Sequence, residues 1–125
     1  MQSDMRNLVF LLILLLLSAC ATTKPADNSF FSAEIAIETA VQAGAEEHSP
    51  VELRFAREKL AEAHKGMEYK QFDKAIYLID QSEINSELAL AKTRAALIRG
   101  KVTDLARENE ILREEFESTF GENFE

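Results

Sequence analysis

The 125-residue sequence predicts an all-α protein, an antiparallel three-helix bundle whose third helix continues as a coiled-coil-like stem. Three observations carry that prediction. Only two Pro, four Gly and no Trp occur among abundant Ala, Leu and Glu, a composition that suits helix and disfavours sheet. Ser49-Pro50-Val51-Glu52 joins an N-cap residue, a proline suited to the first helical position and a glutamate placed to close a capping box, so a helix should start at Pro50. Finally, Ile84, Leu88, Ala91, Ala95, Ile98, Val102, Leu105, Asn109, Leu112 and Phe116 follow one another in steps of four and three, the spacing of a coiled-coil seam.

Charge and cysteine content exclude several classes of function. Fourteen Lys and Arg stand against 22 Asp and Glu, a formal net of −8, and the basic residues are interleaved with Glu instead of forming a stripe. A polyanion binder displaces counterions with a basic face, so nucleic acid is not an expected partner. One cysteine permits neither an internal disulfide nor a cysteine-based zinc site.

The N-terminal residues read as a targeting segment. Arg6 precedes an unbroken apolar run over residues 8–17, and small residues follow. Such a run spans about 15 Å as helix, half of the roughly 30 Å hydrocarbon core, which fits a signal peptide over residues 1–19 better than a membrane span. Leu17-Ser18-Ala19-Cys20 then resembles the lipobox of bacterial lipoprotein precursors at all four positions. The resemblance implies cleavage between Ala19 and Cys20, diacylation of the Cys20 sulfur and acylation of the new amino terminus, for which palmitate is the expected chain. Several chains on one residue exceed what stable anchoring needs, at about 0.8 kcal/mol per buried methylene. By the same analogy Ala21, in place of an aspartate, implies sorting to the outer membrane, with the protein facing the periplasm. Residues 20–29 show no apolar period and read as a tether of at most about 30 Å.

The bundle is expected over residues 30–95. A first helix is predicted for residues 30–47, with Ser32 as N-cap and Ala33, Ile37, Ala40 and Gly44 on one stripe. The second helix carries Leu53, Ala56, Leu60, Ala63 and Met67 on its stripe and should turn at about residues 66–71. The third begins near Gln71 or Phe72 with two apolar faces. Phe72, Ala75, Ile79, Ser82, Ser86 and Ala89 form a small-residue face, beside the side that holds Ile76, Ile84 and Leu88. Two faces can meet two neighbours, and Ala and Ser permit close approach.

Ser49-Pro50, Glu52-Leu53, Ala56, Lys59-Leu60 and Ala63, followed by Phe72, Asp73, Ala75, Leu78 and Ala89 to Ala91, resemble the domain-of-unknown-function family 4398 of bacterial envelope lipoproteins. The resemblance covers roughly residues 36–96. It implies a tetratricopeptide-like helical hairpin and says nothing about chemistry. Some members are followed by a peptidoglycan-binding domain, for which this chain leaves no room, so direct wall binding is not expected.

Lengths then isolate the stem. A helix from residue 71 to about 116 spans about 69 Å, against about 25–28 Å for each of the two before it. The short pair cannot cover the long one, so residues 96–119 should protrude, with Ile98, Val102, Leu105, Asn109, Leu112 and Phe116 as the candidate partner-binding residues. A parallel homodimer is one expectation, with Asn109 fixing the register; its flanking pairs Glu87 with Lys92 and Glu108 with Arg113 attract, whereas Arg94 facing Arg99 repels. Docking on another envelope protein, or a solvated single helix, are the alternatives. Residues 120–125 close the chain as an acidic tail containing Phe120 and Phe124.

No constellation of catalytic groups emerges. His64 and Glu68 share a helical face but are too few to hold a metal and read as a surface pair. Phosphate-cradling glycine loops and nucleophile elbows are absent from the sequence. The expected role is therefore a non-enzymatic, lipid-anchored envelope scaffold that presents helices for assembly, without small-molecule substrate, metal or cofactor beyond the lipid on Cys20. The alternative is an accessory module that docks on or regulates a cell-wall or outer-membrane complex.

Overall fold

Proline and glycine set where the helices break. The computed structural model describes residues 23–121. Four helices, α1 (Asp27–Gln42), α2 (Ala45–His48), α3 (Pro50–Glu68) and α4 (Phe72–Phe120), account for most of it, and no strand occurs among the described residues.

The expected first helix is two helices. Gly44 adopts φ 95°, a left-handed conformation that ends α1, and its N–H donates to the Val41 carbonyl at 2.9 Å. The apolar stripe runs through Gly44 without interruption, which is why periodicity alone extends the helix past the break. Ser32 is not the cap: α1 starts at Asp27, with Ala26 in the N-cap position, so residues 27–29 of the expected tether are helical.

Pro50 is the first residue of α3, as its missing N–H favours, but the capping box does not form. Ser49 makes no side-chain cap bond; it is buried, and its Oγ has no partner among the described residues. Glu52 is drawn instead to Lys92 on α4. At its other end α3 closes through Lys70 at φ 56°, whose N–H donates to the Met67 carbonyl at 3.1 Å, while the Gln71 N–H donates to the Gly66 carbonyl at 2.8 Å. This bond pair is a Schellman closure, so the turn occupies residues 69–71.

Helix α3 runs back along α4. Gly66 lies against Ala75, the Ser82 hydroxyl donates to the Ala56 carbonyl at 2.9 Å, and Glu52 reaches Lys92, three contacts that step in opposite directions along the two helices. At Gly66 an added Cβ would stand 3.3 Å from the Ala75 Cβ, so glycine permits the close crossing. Helix α1 lies across both. Ala33 packs with Ala63, Leu78 and Ile79, flanked by Phe30 and Leu60, and Ala40 packs with Ala45, Leu53 and Ala89, flanked by Ile37, Val41 and Leu90.

The core is built largely from alanine. Among the described residues Leu53, Leu78 and Ile79 are its large buried aliphatics, and the other hydrophobic residues of the buried core are Ala. On α4 the buried stripe is Ala75, Leu78, Ile79, Ser82, Ser86, Ala89 and Thr93, close to the small-residue face expected from the sequence. The Ser86 hydroxyl donates to the Ser82 carbonyl at 2.8 Å, so Ser82 and Ser86 enter the core already bonded, whereas the buried Thr93 hydroxyl has no partner among the described residues. Nothing on α4 beyond Thr93 is fully buried.

Candidate functional site

The ladder on α4 and the buried stripe occupy opposite sides of one helix. At about 100° per residue, the mean direction of Ile84 and Leu88 lies roughly 150° from that of Ser82, Ser86, Ala89 and Thr93. Their exposure agrees: Ile84 is 56 % and Leu88 43 % exposed although α1 and α3 cover the other side of the same turns. The apolar edge therefore starts within the packed half and continues without being used by the core.

Beyond the packed half, every residue from 97 to 121 is exposed. Ile98 is 63 %, Leu112 56 % and Phe116 62 % exposed, and Val102 and Leu105 are open in the same way. Asn109, the one polar residue on the edge, donates its side-chain amide to the Leu105 carbonyl of its own helix at 2.9 Å. All six expected partner-binding residues thus share one solvent-facing edge on a segment that extends about 36 Å past the packed half. Phe120 belongs to α4, and its ring lies 5.1 Å from that of Phe116, extending the edge by one turn. Ala19, Cys20 and Phe124 lie outside the described residues, as does the rest of the signal segment.

Along the stem the charges are segregated, a feature that the average acidity of the chain conceals. Residues 92–107 carry Lys92, Arg94, Arg99, Lys101 and Arg107 against Asp104, whereas residues 108–121 carry five Glu against Arg113. Arg107 pairs with Asp104 at 3.8 Å and Lys92 with Glu52; Arg94, Lys101, Glu108 and Glu115 make no ion pair among the described residues. The Lys92 ammonium beside Glu52 also holds its carboxyl below the usual glutamate value. Over the whole chain the basic residues are interleaved with Glu, and the separation shows only when α4 is divided at residue 107.

His64 stacks on Phe30, ring centroids 4.4 Å apart, and forms no pair with Glu68, which corrects the expected surface pair. No group of three or more potential metal ligands occurs among the described residues. Surface clefts of about 300 Å³ are present, one beside the turn after α3 and one between the segment before α1 and Ile76, Ile79 and Asp80 of α4. No described helix is long and apolar enough to cross a membrane.

Leu97 and Ile111 are also exposed, on the side of α4 away from the edge, and have no counterpart in the heptad reading. No curated protein and no solved structure matches the chain significantly. The family model of a domain of unknown function, DUF4398, matches residues 31–105, from the second turn of α1 to the middle of the stem, and leaves the acidic end of α4 outside. That match spans more than half of the sequence, and the chain belongs to the DUF4398 family.

Proposed function

We propose that this protein is a lipid-anchored scaffold of the bacterial envelope, tethered to the outer membrane through Cys20 and presenting α4 for assembly on the periplasmic side. Its packed half is an antiparallel three-helix bundle of tetratricopeptide-like outline, and its role is to hold the stem out as a rigid rod. The observation that carries this reading is the apolar edge that faces away from the core and continues past it. Each large side chain left wet there forgoes about 1.5–3 kcal/mol of burial, and a partner helix recovers it. The lipobox-like Leu17-Ser18-Ala19-Cys20 supports the anchor. Acyl chains on Cys20 would suffice to hold the protein at the bilayer.

Photo-crosslinking in intact cells tests the assembly role. A probe at Val102 or Leu112 should capture a protein, identified by mass spectrometry as a second copy or another envelope component, while a probe at Asp104 on the opposite side should not. Equal capture from both sides, or none from Val102 and Leu112, would speak against the reading. Metabolic labelling with a palmitate analogue tests the anchor: the label should be lost in Cys20→Ser, and its persistence would exclude Cys20 as the attachment point.

A further inference from the structure

We propose that the occupant of the apolar edge is the same edge of a second copy, running in the opposite direction and centred between Val102 and Leu105. This rests on the assembly reading above and names both partner and orientation. The charge segregation selects them. In a parallel pair the basic halves of two stems lie side by side, as do the acidic halves; in the opposed pair each basic half lies along an acidic one.

Individual flanking pairs agree. With the centre between Val102 and Leu105, Arg94 faces Glu115 of the second copy and Lys101 faces Glu108, and all four side chains are exposed and without ion pairs among the described residues. Symmetry makes that four attractive contacts. The opposed arrangement also places Lys92 near Arg113, but Lys92 is already engaged by Glu52 of its own subunit. The same engagement removes Lys92 from the attraction with Glu87 on which a parallel pair would draw, while Arg94 would still face Arg99 there. The ion pair between α3 and α4 therefore shifts the balance toward opposed stems.

Side-chain size points the same way. In this register Ala91 meets Phe116 and Ala95 meets Leu112, so each small residue on the edge faces a large one, the pattern that fills space between helices. A parallel pair would set Ala91 on Ala91, Ala95 on Ala95 and Phe116 on Phe116. Asn109 meets Ile98 in the opposed pair, its amide already bonded within its own helix. Room exists for the second stem, because Ala91 is exposed on the side of α4 that α1 and α3 leave open. The product is a dumbbell with a packed body at each end.

The experiment uses the full chain, purified from membranes in mild detergent, as two differently tagged preparations carrying Ala95→Cys and Leu112→Cys. They are mixed and oxidised, and the linked peptides are identified by mass spectrometry so that links from Cys20 are told apart. A disulfide between positions 95 and 112 of different copies is the expected product. Links of 95 to 95 and 112 to 112 would overturn the orientation and leave the assembly role standing. Absence of any stem-to-stem link, with Val102 probes still capturing another protein in cells, would overturn the second copy as occupant. Loss of both would remove the assembly reading as well.

Sedimentation equilibrium on charge variants gives an independent readout. Arg94→Glu should weaken the dimer about tenfold at low salt, and adding Glu115→Arg should restore it. In a parallel pair the same Arg94→Glu replaces a repulsion by an attraction, so a tightened dimer would overturn the proposal, as would an unchanged one.

Discussion

Leu53→Ala should destabilise the packed half by about 3–5 kcal/mol, toward the upper end of the range for buried leucines. Leu53 is 2 % exposed and packs against Ala40 of α1, Ala45 of α2 and Ala89 of α4. Its fully buried neighbours are alanines, which have no side-chain freedom with which to fill a space, so only the half-buried Ile37, Val41 and Leu90 at the margin could recover vacated volume. A small domain holds only about 5–15 kcal/mol in total, so the loss would consume a large part of it. Urea unfolding followed by far-UV circular dichroism, at a dilution where stems do not associate, measures the change. The midpoint should fall while the slope stays constant. Leu105→Ala, exposed on the stem, should shift the same curve by less than about 0.5 kcal/mol. A loss below about 1 kcal/mol for Leu53→Ala would refute the view that a few aliphatics in an alanine matrix hold α1, α3 and α4 together.

Three further outcomes follow from particular contacts. Thr93 is fully buried with its hydroxyl unpartnered, so Thr93→Val should leave the fold intact and raise stability by up to about 1–2 kcal/mol; a lower urea midpoint would show that the hydroxyl is bonded. Gly66→Val should cost about 1–3 kcal/mol, since even a Cβ there meets Ala75 at 3.3 Å, and a thermal melt unchanged from wild type would contradict the close crossing of α3 and α4. Because Lys92 depresses the Glu52 carboxyl, the pair's contribution should be complete above the ordinary value of 4.5 and fade as pH falls through the lower folded value. The gap in urea midpoint between wild type and Glu52→Gln should therefore be constant at neutral pH and close in acid; a gap that is the same at every pH would mean that the ion pair contributes nothing.

Local signals and long-range ones were unequally legible in the sequence. Pro50 as a helix start and the run of α4 could be read directly, because proline geometry and a long period of fours and threes are properties of neighbouring residues. The break at Gly44 could not, since glycine fits the stripe and only its φ of 95° reveals the turn. The fate of Ser49 and Glu52 was likewise hidden: their local pattern is that of a capping box, but Glu52 meets Lys92 forty residues further on. Ala75, Ser82, Ser86 and Ala89 were legible as a face that permits close approach. The exposure of Ile84 and Leu88 within the packed half required knowing on which side of α4 the other helices lie.

Amide hydrogen exchange of α4 at graded protein concentrations tests most directly whether its apolar edge is left for another chain. In dilute solution amides over residues 98–116 should exchange far faster than those over residues 75–93, and they should slow as concentration rises while the packed half does not change. Protection of the distal residues that equals that of the packed half at every dilution would mean that the edge is sheltered within one subunit, contrary to the account.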